Sequence, residues 1–289
     1  MKFWQAVSFL EAEQLLDVAR TAEKAGFDGA FVSDHVFFPV PLVSKYPYAP
    51  DGVPYFDKDT PWLESFTSMG AMAAVTSRLR FVTGVYILPL RHPLEVAKAA
   101  ATVSLLSGGR LALGIGTGWM REEFDALGRE FGGRGRRMDE QIEVMRTIWR
   151  GGAVEHNGRH YRLPRLQMTP APKASIPILI GGASERALKR AATLGDGWVG
   201  AGNTPEEIPP IVKRLRELRA QAGRERTPFE IIVALTTPPD IDTFRRLEDQ
   251  GVAGVVSWPL VFTTGPGASL EAKKQALETY AETIIRRFR

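Results

Sequence analysis

Asp34-His35 closes a short apolar run, GAFVSDH (Gly29–His35). A carboxylate beside an imidazole can hold the ring in one tautomer and poise it for proton transfer near neutral pH. The same pair also reads as a capping aspartate followed by a packed histidine. Two glycine-rich runs suggest a different chemistry. LALGIGTGW (Leu111–Trp119) alternates Gly114, Gly116 and Gly118 around Ile115 and Thr117 and ends on Trp119, and ILIGGAS (Ile178–Ser184) sets Gly181, Gly182 and Ala183 ahead of Ser184. Glycine lets another group approach the backbone closely. A helix opening at Ser184 would aim free N–H groups at a phosphate. Each run also serves as a plain strand-exit turn. In RFVTGV (Arg80–Val85), Thr83-Gly84-Val85 puts a glycine at a strand end, the mark of a bulge or of close approach by another group.

The first glycine run is spaced GxGxG, not GxGxxG, and no acid ends a second strand about twenty residues on, so a dinucleotide ribose site is excluded. Metal chemistry is poorly served. The four histidines stand at 35, 92, 156 and 160, and FWQ occupies the first strand, where a metallohydrolase barrel would carry HxH. The absence of cysteine excludes disulfides and thiol catalysis and makes a cytoplasmic location the expectation. The opening MKFWQAVSFLEAEQ lacks the long apolar core of a signal peptide. No window approaches the ~18 apolar residues of a membrane span. Net charge is +4, with basic residues dispersed among acids. GGRGRRMDE (Gly132–Glu140) is the one dense run and reads as a solvated helix start rather than a nucleic-acid face. A mild basic surplus still favours an anionic small molecule.

These residues need elements to position them. Short β-like runs alternate with amphipathic segments along the whole chain, from KFWQAVS followed by EAEQLLDVARTAEKAG to AGVVSW followed by a last helix over about Ser269–Phe288. Eight such units predict an α/β fold, a (β/α)8 TIM barrel forming a single domain over 1–289. Insertions are expected after strands 2 and 4, at Val36–Pro61 and Gly151–Ala174. In the second, EHNGRHYRL reads as a hairpin around Asn157-Gly158. Chemistry in such a barrel sits where the strands end, which is where all the residues singled out above fall. Trp4, Phe31, Trp119, Trp198 and Trp258, near strand positions, are core or the wall of a pocket for a planar ring.

Four stretches together resemble the bacterial-luciferase-like flavin and deazaflavin oxidoreductases. They are GFDGAFVSDHV, RFVTGVYILPLRHPLEVAKAAATVSLLSGGRLALGIGTGW, RGRRMDEQIEVMRTIW and ILIGGASERALKRAATLGDGWV. The loop PYAPDGVPYFDKDTPWL is similar to the branch that depends on coenzyme F420. The resemblance implies a TIM barrel with the isoalloxazine at its C-terminal mouth, F420 as cofactor with FMN as the alternative, and hydride transfer with a small organic substrate. It also implies a homodimer. Asp34 and His35 then lie next to the reactive face of the ring. Gly84-Val85 matches a strand-three bulge, often with a non-proline cis peptide, that props the ring from behind. Gly114, Gly116 and Gly118 match the loop along the ring, and Gly181, Gly182, Ala183 and Ser184 the phosphate turn. Trp119 departs from the pattern, because deazaflavin sugar-phosphate dehydrogenases carry a catalytic acid directly after GTG.

On this reading His35, oriented by Asp34, exchanges a proton while hydride moves. Val36–Pro61, with Tyr46, Tyr48, Tyr55 and Phe56, is the lid. An FMN monooxygenase using O2, a non-catalytic flavin- or F420-binding protein and a metal-dependent hydrolase are the other readings. Cofactor titration, turnover and elemental analysis separate them.

Overall fold

The computed structural model describes residues 1–258, 260, 263–265 and 267–289. Eight parallel strands close into a barrel wrapped by helices. In chain order the strands are β1 (Lys2–Ala6), β2 (Gly29–Val32), β3 (Arg80–Thr83), β4 (Tyr86–Ile87), β5 (Leu111–Gly116), β6 (Ala153–Asn157), β7 (Arg162–Gln167), β8 (Ile178–Gly181), β9 (Gly197–Val199), β10 (Glu230–Ala234) and β11 (Gly254–Ser257). β1 pairs with both β2 and β11, which closes the ring. β4 is a continuation of β3 beyond Gly84-Val85. β3 pairs with the first half of β5 and β4 with its end, so the strand expected over Arg80–Val85 is interrupted by the bulge. β6 and β7 form a separate antiparallel hairpin.

Trp4 fills the barrel interior at 0% exposure, among Phe31, Val82, Leu179 and Ile232. The neighbouring strands yield to it. A Cβ on Gly29 would lie 2.3 Å from the Trp4 ring, and one on Gly254 2.6 Å from its Nε1. Large and small residues thus share one layer, as barrel interiors require. Trp4, Phe31 and Trp198 are core, whereas Trp119 and Trp258 are half-buried.

The helices are α1 (Leu15–Ala25), α2 (Ser65–Val75), α3 (Pro93–Leu106), α4 (Arg121–Ala126), α5 (Arg134–Trp149), α6 (Glu185–Leu194), α7 (Ile208–Gln221), α8 (Ile241–Asp249) and α9 (Leu270–Tyr280). Their ends follow sequence chemistry. Gly26 at φ +102° caps α1, and its N–H bonds to the carbonyls of Ala22 and Glu23. Pro93 opens α3, and Ser184 caps α6. The last helix is not uniform, since a π turn at Ala281–Ile285 follows α9. The β6–β7 hairpin enters after α5 and turns through residues 158–161, with Gly158 N–H bonded to Tyr161 O, not through a two-residue Asn-Gly turn. The Glu140 carboxylate on α5 accepts from the His160 and Tyr161 N–H groups and ties the hairpin tip to the helix. His156 and His160 therefore serve this clasp.

Candidate active site

His35 lies just beyond the end of β2 with its side chain only 8% exposed. The rings of Trp62, Phe56 and Trp119 surround it at 4.8, 5.6 and 5.7 Å between centroids. Its Nδ1 is 3.0 Å from Oε2 of Glu123, a residue of α4 whose side chain is fully buried. The other oxygen, Oε1, accepts from the Val36 N–H at 2.7 Å. Nε2 has no hydrogen-bond partner among the described residues.

Asp34 faces elsewhere, which corrects the expectation that it orients His35. Its carboxylate accepts two bonds from Arg91, at 2.5 and 2.8 Å, and one from the Ile87 N–H at 2.8 Å. The Arg91 guanidinium lies 4.3 Å from the Tyr86 ring centroid. Burial pushes the Asp34 carboxyl up, and the Arg91 charge opposes that rise. Bidentate geometry with a half-buried arginine fixes the end of β2 against β4. Asp34 therefore holds the scaffold under His35 without touching the imidazole.

The bulge is the second component. The Gly84–Val85 peptide is cis. A Cβ on Gly84 would lie 1.6 Å from Phe31 Cζ, so only glycine fits. Half-buried Val85 sits between two glycines: Cβ atoms on Gly116 and Gly181 would fall 2.5 and 2.6 Å from its methyls. Gly114 makes room for the Thr83 carbonyl at 1.9 Å from the would-be Cβ, while Thr83 Oγ1 donates to Gly114 O at 2.6 Å. Gly118, at φ +75°, faces Ile87 and Phe124. The space these glycines vacate is taken by the β3 bulge and its neighbours, and Val85 is what the arrangement positions. Thr117 is half-buried beside them and Trp119 turns toward His35.

At the β8 exit the chain is open. Gly182 has φ +102° and its carbonyl accepts from Trp198 Nε1, and Ala183 and Ser184 are exposed. Ser184 Oγ accepts from the Ala187 N–H. The N–H groups of Ala183, Ser184, Glu185 and Arg186 find no protein acceptor among the described residues. Such a cluster at a helix start suits an anion.

Over the mouth lies the segment after β2. Glu122, next to Glu123, accepts from the N–H groups of Val43 and Ser44 and from Ser44 Oγ at 2.6–2.8 Å. Burial acts to raise its carboxyl, but those hydrogen bonds outweigh it and pull the group down to about 2. Tyr46 packs edge-on against Trp119. Further along, a Cβ on Gly202, beyond β9, would lie 3.5 Å from Tyr48. The segment thus spans the mouth from β2 to β9. Phe9, beyond β1, adopts φ +63°, a region costly for a bulky residue, and sets its ring against Tyr55, Phe56 and Trp62.

A family model for luciferase-like monooxygenases matches residues 5–242. The chain belongs to that family. A Mycobacterium tuberculosis protein is 39% identical over 287 residues, 99% of each chain. The pyrimidine monooxygenase RutA of Methylobacterium radiotolerans is 33% identical over 62% of this chain and 49% of its own length. Among solved structures, a monooxygenase from Streptomyces bottropensis matches with TM-score 0.79 at 19% identity, covering all of both chains. An F420-dependent secondary alcohol dehydrogenase matches with TM-score 0.77 at 17%, covering 100% of this chain and 99% of that one.

In this luciferase-like barrel the structure brings His35, Trp119, Val85, Gly116 and Gly181 to one mouth, with Asp34, Thr83 and Gly114 bracing them from within. Glu123, Arg91, Glu122 and Phe9 are additions. The signal for the glutamates was the acidic run REEF after Trp119. One helical turn carries Glu123 from the GTG exit to His35. Among the described residues no group of three or more metal-ligating side chains forms, and no helix is long and apolar enough to cross a membrane.

Proposed function

We propose that the protein is an oxidoreductase that moves hydride between coenzyme F420 and a small uncharged organic substrate at this mouth. The observation that carries the reading is His35. It is a nearly enclosed imidazole with one nitrogen held and the other unengaged, walled by aromatic rings. The donor set fits such a cofactor. Val85, flanked by Gly116 and Gly181, would support the ring, and the free N–H groups of 183–186 would hold the phosphate. A bound deazaflavin or flavin supplies the hydride donor or acceptor, and the protein supplies placement and proton handling. His35 takes or returns the substrate proton. The rings of Phe56, Trp62 and Trp119 exclude water, which strengthens each polar contact inside. Arg91, the cation bonded to the neighbouring Asp34, is committed to that carboxylate. The aromatic wall of Phe56, Trp62 and Trp119 around His35 suits an uncharged substrate.

F420 is favoured over FMN by arginines near the β5 exit. Arg129, Arg134 and Arg137 donate to backbone carbonyls, and Arg121 and Arg134 lie 4.4 and 3.7 Å from the Phe131 ring centroid. None of the four is paired with a carboxylate among the described residues. Unbalanced positive charge of this kind suits a polyanionic tail. The relatives named as monooxygenases support FMN and O2 as the second reading. Titrating the purified protein with each cofactor and following fluorescence decides between them. Tight FMN binding with none for F420 overturns the choice. Loss of turnover with retained binding in His35→Ala is the expected result for the proton role, and intact turnover overturns it.

A further inference from the structure

Glu123 is the residue of this site whose role the proposed function leaves open. Its Oε1 receives the Val36 N–H at 2.7 Å, and a backbone N–H can only donate. Its Oε2 meets His35 Nδ1 at 3.0 Å. An ionised carboxylate offers acceptors only, so Nδ1 must carry the proton. In neutral imidazole the lone pair then resides on Nε2. The groups facing His35 from the other elements are the rings of Phe56, Trp62 and Trp119, which do not compete for either nitrogen.

We propose that Glu123 is the positioning residue for His35, fixing the Nδ1–H tautomer and leaving Nε2 as the site of proton exchange. The proposal rests on the reading of His35 as the proton carrier. It makes a sharp prediction for the isosteric variant Glu123→Gln. The Val36 N–H still demands an oxygen, so the amide oxygen must occupy the Oε1 place. The amide NH2 then faces Nδ1, and two donors cannot meet. Nδ1 must become the acceptor and the proton must move to Nε2. The opposite amide orientation sets NH2 against the Val36 N–H, a donor–donor clash. A change of one atom type thus inverts the tautomer without altering shape. Glu123→Asp keeps a carboxylate and with it the original tautomer.

Long-range 15N–1H correlation spectra of the labelled protein at pH 8 test this directly. With four histidines in the chain, the His35 signal is assigned by its loss in His35→Gln. The expected result is Nδ1–H in the wild type and in Glu123→Asp, and Nε2–H in Glu123→Gln. Turnover in Glu123→Gln should fall on the order of 10²–10⁴-fold, the usual weight of a positioned proton carrier, with thermal unfolding little changed. An Nε2–H signal in the wild type, or Nδ1–H in Glu123→Gln, overturns the proposal, and the wild-type spectrum does so without any variant. If the tautomer inverts and turnover is unaffected, Glu123 still sets the tautomer but His35 is not the proton carrier. That outcome overturns the catalytic half and the functional reading beneath it.

Discussion

The two sides of the barrel mouth are built on opposite principles. On the β2–β5 side almost every polar group is committed. Asp34 is bonded to Arg91 and Ile87, Glu123 to His35 and Val36, and Glu122 to Val43 and Ser44, with aromatic rings packed over them. At the β8 exit, Ala183–Arg186 leave a row of N–H groups without protein acceptors among the described residues. The closed side holds His35 in place through interactions that also stabilise the fold. The open side has capacity for an anion and contributes little to stability. Substitutions on the two sides should therefore separate stability from binding.

The largest effect is expected at Asp34. Asp34→Ala would leave Arg91, whose side chain is 18% exposed, without its partner in a largely buried position. Breaking such a pair from one side costs about 3–5 kcal/mol. Thermal unfolding should show a drop of that size, with Asp34→Asn intermediate. A loss below 1 kcal/mol would mean that the pair is not what braces the closed side.

Next comes the bulge. Gly116→Ala should cost about 1–3 kcal/mol, as overpacked sites do, because its methyl meets Val85 at 2.5 Å. Adding Val85→Ala should recover most of that stability, since the two sites share one space. Additive losses in the double variant would show that Gly116 does not exist for Val85.

This pairing also shows how far the sequence could be read. The alternation of β-like and helical runs was enough for eight strand–helix units, because burial in a barrel imposes that period on every turn of chain. The end of each strand was legible too, which is where Asp34, His35, Val85, Trp119 and Ser184 lie. Which side chain pairs with which was not. Asp34 adjoins His35 along the chain yet turns away from it, whereas Glu123, 88 residues away, reaches the ring. Consecutive residues leaving a strand point to opposite sides, so adjacency was misleading. The glycines at 114 and 116 were seen, but what fills their space depends on a bulge in another strand.

A smaller effect is expected at the lid. Glu122→Ala removes three hydrogen bonds from the Val43–Ser44 segment without opening the core. Global unfolding should move by about 1 kcal/mol or less, while trypsin cleavage at Lys45 and Lys58 should accelerate several-fold. The same latch has a pH signature. Its carboxyl is depressed in the folded state to about 2. The contact is therefore fully present above the unfolded carboxyl's ordinary range and is lost as pH falls toward 2. Acrylamide quenching of tryptophan should stay level from pH 7 to about 5 and rise below that. In Glu122→Gln the lid component of that rise should vanish.

The smallest effect on stability, and of opposite sign, belongs to the open side. Ala183 is exposed immediately before the cap of α6. Ala183→Asp places a negative charge at the helix start, which favours the folded state by about 0.3–1 kcal/mol through the helix dipole. The same charge repels a phosphate from those N–H groups. Unfolding temperature should hold or rise slightly while cofactor affinity, followed by fluorescence titration, falls tenfold or more. No single change on the closed side should give that combination, because there the groups that serve the site also hold the fold. Equal cofactor affinity in Ala183→Asp would place the phosphate away from α6 and remove the division of labour between the two sides.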